Sequence, residues 1–345
     1  MNHEYRKDGL MISMKRLLVA ALLSSMGLIT ACNERPLAYG DVNSIIAVMS
    51  AEQWDIVGED VYDALESTIS TVLIEKAFTV TYQEPGAEFW DRLRRFRQPL
   101  VVGTREDFWV QDVLDSASEL ITENGLHQVY NVWSNGQTVT LILLGDGWGA
   151  EDLAPYLSEV NRLLDEQYRY YARNRMYMSG RDSALSDTLS IQAGFTMLLP
   201  DVYRWEVVDS TYIFRNDQPH PSELIRQIAV TWRTPAPGLL DRESLLAWRE
   251  EVVGLYSEPQ MLVLEGAAEH EISLDGGPGF ELQAQWKNTP ERPWPAGGPL
   301  ITRSVTCDRQ DRTYILDAWL YAPGKEKYEY MIQLETLLDS FRCAA

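Results

Sequence analysis

SIIAVMSAEQWDIVGEDVYDALESTI, residues 44–69, holds two periodicities in succession. Its first six residues read as a strand, with an unbroken apolar run from Ile45 to Met49. Ser50, with Gln53 three positions on, then makes a capping box, in which a hydroxyl accepts from a free N–H and the amide side chain reaches back. Beyond it Trp54, Val57, Val61, Leu65 and Ile69 recur at steps of three and four, the spacing of one helix face. A strand that runs straight into an amphipathic helix is the repeating unit of an α/β layer.

The unit recurs downstream. Residues 78–82 (FTVTY) predict a strand, 87–96 a helix and 100–102 a third strand. Thr104 and Asp107 then cap a predicted helix that presents Phe108, Val113, Ala117 and Leu120 and ends at Asn124-Gly125, where glycine suits a left-handed C-terminal position. Residues 126–133 and 137–144 flank Ser134-Asn135-Gly136, a hairpin signal because Asn-Gly accepts positive φ. Residues 145–149 (GDGWG) lead into a long helix with Leu153, Tyr156, Leu157, Val160, Leu163, Leu164, Tyr168 and Tyr171 on one stripe to about Met178. The polar stretch 179–190 (SGRDSALSDTLS) reads as the boundary between a first domain, 44–178, and a second, 191–345.

The second domain is mostly strand. Residues 191–199, 205–214, 223–232, 279–286, 300–307 and 313–321 have the β-branched and aromatic content of sheet, with prolines between them. Helices are predicted at 242–256, with Leu245, Trp248, Val252 and Leu255, and at the C-terminal end, with Tyr328, Met331, Leu334, Leu338 and Phe341 inward. The fold class is therefore α/β (α+β): an N-terminal alternating strand/helix layer followed by a mostly antiparallel sheet packed by helices.

Upstream of all this, Lys15-Arg16 precede the apolar run 17–29 and then Thr30-Ala31-Cys32. The run is too short to span a bilayer, which needs roughly 20 apolar residues, and reads as a secretory signal, residues 1–31. Residues 1–13 are polar and patternless, so translation is expected to start at Met11 or Met14. Ile29-Thr30-Ala31-Cys32 resembles the lipobox of bacterial lipoproteins, which implies cleavage before Cys32, acylation there, and a short tether, residues 32–43. An ordinary signal with an incidental cysteine is the other reading. Asn33 after the cysteine resembles sorting to the outer membrane.

A net charge of −21, from 51 acidic against 30 basic residues, disfavours nucleic acid and anionic membrane surfaces as partners. Residues 194–200 (GFTMLLP), Trp286-Lys287, Gly297-Gly298-Pro299 and 321–325 (YAPGK), in that order behind a lipobox, resemble an uncharacterised family of Gram-negative lipoproteins, a domain of unknown function. That resemblance implies no activity. From Gly194 onward the order of elements is also similar to the PsbP and Mog1 type of α/β/α sandwich, a fold of assembly and binding proteins.

Catalytic patterns are sparse. His127, His220 and His270 stand far apart in sequence and in no metal spacing. Neither Gly-x-Ser-x-Gly nor a serine–lysine pattern occurs, and residues 145–149 depart from phosphate-loop spacing and read as a tight turn. No cofactor is implied. Residues 286–299 (WKNTPERPWPAGGP) place Trp286 and Trp294 among prolines, a candidate contact patch, with rings packed over a sheet edge as the plainer alternative. The prolines are expected to leave at least one ring at the surface. The basic run 92–97 (RLRRFR) reads as an exposed helix face paired to nearby carboxylates.

Two function classes remain: a non-catalytic envelope lipoprotein that binds a protein or glycan, which the residues favour, and a carboxylate-based hydrolase such as a glycosidase, which leaves no sequence signature. Cys307 and Cys343 are the cysteines left once Cys32 is acylated. If 300–307 runs up the sheet, 313–321 returns over about 30 Å at ~3.3 Å per residue and the last helix climbs about 24 Å, so both arrive at one end. A disulfide there is expected to add roughly 4 kcal/mol on the chain-entropy model. Two free thiols are the alternative.

Overall fold

The computed structural model describes residues 35–70, 74–218, 220–238, 240–257, 259–292 and 295–344; Cys32 and Trp294 lie outside them. The opening stretch forms β1 (Ser44–Val48) and α1 (Ala51–Leu65), and the Ser50 side chain accepts from the Gln53 N–H at 3.3 Å. There follow β2 (Thr68–Ser70), β3 (Ile74–Lys76), β4 (Thr79–Gln83), the short α2 (Trp90–Leu93), β5 (Gln98–Gly103), α3 (Phe108–Ser116), β6 (Gly125–Tyr130), β7 (Thr138–Leu143) and α4 (Ala150–Met176).

The first sheet has the order β4-β1-β5-β7-β6, parallel but for β6. A parallel sheet is covered on both faces, so its central strands β1, β5 and β7 are largely apolar. Ile45, Ala47, Leu100, Val102 and Ile142 meet α1 and α4, while Ile46, Val48, Val101, Leu141 and Leu143 meet α2 and α3. Two boundaries differ from the sequence reading. The helix expected over 87–96 has one turn, and α3 stops at Ser116, which leaves Leu120 at 90% exposure. Gly125 begins β6 and caps no helix.

The second half consists of α5 (Ser183–Ala193), β8 (Phe195–Thr196), β9 (Arg204–Val208), β10 (Thr211–Asn216), β11 (Ile225–Arg233), α6 (Arg242–Tyr256), β12 (Gln260–Leu274), β13 (Gly277–Asn288), β14 (Gly297–Cys307), β15 (Arg312–Tyr321), α7 (Tyr328–Asp339) and β16 (Arg342–Cys343). Its seven-stranded antiparallel sheet has the order β12-β13-β14-β15-β11-β10-β9. Tyr314, Leu316 and Leu320 of β15 face α5 and α7, and Ile315 and Trp319 face α6. Each half is thus a three-layer sandwich.

The polar stretch read as the domain boundary forms α5. Asp182 caps it by accepting from the Leu185 N–H at 2.8 Å, and Leu185, Leu189 and Ala193 are buried in the second core, so its polar residues are merely the outer face of a helix. The strand expected over 191–199 shrinks to β8 for the same reason. The span 205–214 is two strands joined at Asp209-Ser210, both at positive φ as a two-residue hairpin demands. Sequence reading also missed β12, an edge strand whose Glu265, Glu269, His270 and Glu271 hide its period; charge on an edge discourages pairing with other chains.

The halves meet along α4 and α7. Ile332 of α7 is buried in the first core with Tyr328 packed beside it, while Met331, Leu334, Leu337 and Leu338 belong to the second. Arg169 reaches Glu335 at 2.9 Å, Arg175 reaches Glu329 at 2.8 Å and Lys327 reaches Glu75 at 2.7 Å across the seam.

Candidate functional site: a groove between two helices

The apolar stripes of α1 (Val57, Val61, Leu65) and α4 (Leu153, Leu157, Val160, Leu164) both point into the first sheet. The flanks that then face each other carry small residues: Ala64 on α1, and Ala150, Ala154 and Ser158 on α4. Small side chains cannot close the gap, and a groove of about 1010 Å³ remains open to solvent. Its rim bears Asp60 and Asp63 from α1 and Glu151 and Asp165 from α4, and Tyr328 of α7 borders it from the second half.

The polar partners of this groove are unevenly committed. The Asn161 amide donates to the Ala64 carbonyl and ties the helices together. The Tyr328 hydroxyl donates to Asp165, whose other oxygen accepts from Arg169 Nε at 2.8 Å. Burial, reinforced by the Asp165 hydrogen bond, pushes the Tyr328 phenol well above its ordinary range, so it stays a donor. Arg162 is the one cation among the described lining residues, and it is held by Glu159 at 2.5 Å and by Glu166. Asp60, Asp63 and Glu151 have no ion-pair partner among the described residues.

Smaller cavities also occur among the described residues. One of about 680 Å³ between α6 and β12 reaches Arg249, which is already bound to Asp317 at 2.6 Å and Gln260 at 2.8 Å. One of about 300 Å³ surrounds Cys307 and Cys343, and one of about 160 Å³ lies under the β12 bulge. Among the described residues no three His, Cys, Asp or Glu side chains come together as a metal site, and no helix is long and apolar enough to cross a membrane.

The sequence-predicted residues are dispersed. Trp286 is a correction: it is 5% exposed, its ring packs against Trp319 at 5.2 Å, and its N–H donates to the Leu320 carbonyl at 3.1 Å. The prolines follow the end of β13 at Asn288, so they do not stop Trp286 from pairing. Its register partner is Gly298, where a Cβ would stand 1.7 Å from the Leu320 oxygen, so the glycine lets the indole cross. Trp294 lies outside the described residues. Cys307 and Cys343 do come together, Cα atoms 5.9 Å apart. Residues 145–149 turn into α4, where the Asp152 carboxylate accepts from the Gly149 N–H at 3.0 Å. In the basic run, Arg94 pairs with Asp91 at 2.6 Å. His127 contacts the Glu123 carbonyl at 3.1 Å, remote in sequence from His220 and His270.

The groove itself was missed. Its one sequence signal is the spacing Ala150, Ala154, Ser158 beside the buried stripe, and small residues at that spacing fit a close helix contact equally well.

Against known families, residues 182–340 match one described as a domain of unknown function (DUF4837), and residues 38–175 match a second, also described as a domain of unknown function (DUF8532). The two matches divide the chain where α4 ends and α5 begins, and each half resembles a separate family. The chain matches none of the curated proteins. Among solved structures it is similar to the Ran-binding protein Mog1p of Saccharomyces cerevisiae, at 11% identity and a TM-score of 0.30 over 44% of this chain and 90% of that one. It is likewise similar to cyanobacterial PsbP from Synechocystis, at 14% identity and a TM-score of 0.29 over 44% and 86%.

Proposed function

We propose that this is a lipid-anchored cell-envelope protein, acylated at Cys32 and sorted to the outer membrane, that binds a protein or glycan partner without chemical turnover. The observation that carries the binding role is the groove between α1 and α4. It is the largest of the cavities described, it is open along its length, and its described lining includes no histidine, cysteine or lysine to pair with Ser67 or Ser158 as a nucleophile's base. The anchor rests on Lys15-Arg16, the apolar run and Ile29-Thr30-Ala31-Cys32. The approach of Cys307 to Cys343 fits export to an oxidising compartment.

Photo-crosslinking in intact cells tests the role. A benzophenone side chain placed at exposed Ala154 is expected to yield one discrete adduct, and the same group at exposed Glu206 on β9 none. Equal labelling from both positions, or none from either, removes the groove as a binding site. Cys32→Ala is expected to leave the membrane fraction or remain uncleaved, and a mature, membrane-bound Cys32→Ala protein would remove the anchor.

A further inference from the structure

The floor of the groove is apolar, from Ala64, Ala77 and Leu157, with Ala154 on its exposed flank, while Asp60, Asp63 and Glu151 line it without ion-pair partners among the described residues. Its own cation, Arg162, is neutralised by two carboxylates on α4, so nothing on the described walls offsets the rim. Glu151 lies in the first turn of α4, where it meets the positive end of the helix, which leaves Asp60 and Asp63 as the freest charges. The carboxylates are spread along two helices and do not converge as a metal cage, which suits several cationic groups set along a chain rather than one ion.

We infer that the groove takes an amphipathic basic peptide segment, with its apolar side chains on the alanine floor and its lysines or arginines on Asp60, Asp63 and Glu151. This rests on the groove being the binding site proposed above. A helix or extended segment with apolar residues on one side and cations on the other meets both features at once, in the manner of groove-bound amphipathic helices. An acidic peptide meets the same rim with repulsion, and an anionic lipid surface does too. At physiological salt these charges act over about 8 Å, so the preference belongs to the groove more than to the overall charge of −21.

The test is fluorescence anisotropy with the full chain in detergent and a labelled 14-residue peptide of leucine and lysine at helical spacing, beside a counterpart with every lysine replaced by glutamate. The lysine peptide is expected to bind and the glutamate peptide not. Asp60→Lys with Asp63→Lys is expected to weaken binding by about tenfold, Ala154→Trp to weaken it comparably by filling the groove, and Glu206→Lys to change it less than about twofold. All these positions are exposed, so circular dichroism is expected to match the parent. Equal weakening by Glu206→Lys, or no effect of Ala154→Trp, would mean adsorption to net charge and overturn the inference. Binding of the glutamate peptide would overturn it also, as would sedimentation showing a second copy of the chain seated in the groove in place of peptide. If Ala154 crosslinks a partner in cells but the lysine peptide does not bind, the binding role stands and the basic-peptide assignment falls. If the Ala154 adduct is missing, the role itself falls.

Discussion

The two sheets are solved by different chemistry. No charged residue is buried in the first: its central strands are largely apolar on both faces, and the buried polar groups of that half are the uncharged Gln83, Gln98, Ser134, Gln137 and Thr140. The second sheet buries an ion pair on each face, one reaching a helix and one joining two strands. Asp317 of β15 takes Arg249 of α6, with Thr302 donating to the same oxygen at 2.5 Å. On the opposite face Arg303 of β14 binds Glu281 at 2.5 Å and Asp339 of α7 at 2.8 Å. Apolar strands hold helices without fixing their position, whereas a buried charge must find its one partner. The antiparallel sheet therefore fixes α6 by a buried charge, whereas the parallel sheet seats α1 and α4 by their apolar stripes, and the opening between helices lies there.

The sharpest break of this contrast is Asp317→Ala. It strands Arg249, which is 2% exposed, and is expected to cost about 3–5 kcal/mol in urea unfolding, whereas Asp317→Leu with Arg249→Met is expected to recover most of the loss. Equal losses from the single and the double variant would mean that packing, not charge, positions α6.

Next in size is the link between Cys307 and Cys343. Cys343→Ser is expected to cost about 2–4 kcal/mol, since the bridge fastens the C-terminal strand, where Cys343 pairs with Phe195, to the end of β14. Thiol counting on the denatured, unreduced protein is expected to find neither cysteine free. Two free thiols would contradict it.

The smallest effect lies at the seam. Burial, the largest influence on Glu329, raises its carboxyl above the usual range against the charges of Arg175 and Arg226 and the Gln333 hydrogen bond. The folded state then holds that proton more firmly than the unfolded state, so ionised Glu329 costs stability at neutral pH. The cost fades as pH falls through its folded-state range and is gone below the unfolded one. Glu329→Gln is expected to raise the thermal midpoint by about 1–2 °C at pH 7.5 and to leave it unchanged near pH 4. A gain of equal size at both pH values would assign it to something other than the charge.

Much of the architecture was legible from residues whose role is local. Ser50 with Gln53, the Asn-Gly hairpin and the stripe of α4 each read correctly because a single turn or face specifies them. The motifs that carried the family resemblance are structural as well: Gly194 ends α5 at positive φ, Gly298 makes room for Trp286, and Gly324 turns the chain into α7. What could not be read depends on neighbours distant in sequence. The serines of α5 hide a helix until Leu185 and Leu189 have a core to enter. Trp286 looks exposed until Gly298 lies opposite it. The groove needs both α1 and α4 in place before Ala154 has anything to leave uncovered, and Tyr328 reaches its rim only because Ile332 anchors α7 in the first core.

That anchoring makes the two sandwiches one body. Hydrogen exchange in rising urea, followed by mass spectrometry, tests it most directly, because it reads protection in each sheet separately. Amides of β5 and of β14 are expected to lose protection together, at one urea concentration and with one steepness. If β5 opened well before β14, or the reverse, the halves would be independent domains in contact, and a groove bordered by both could not be a property of the folded whole.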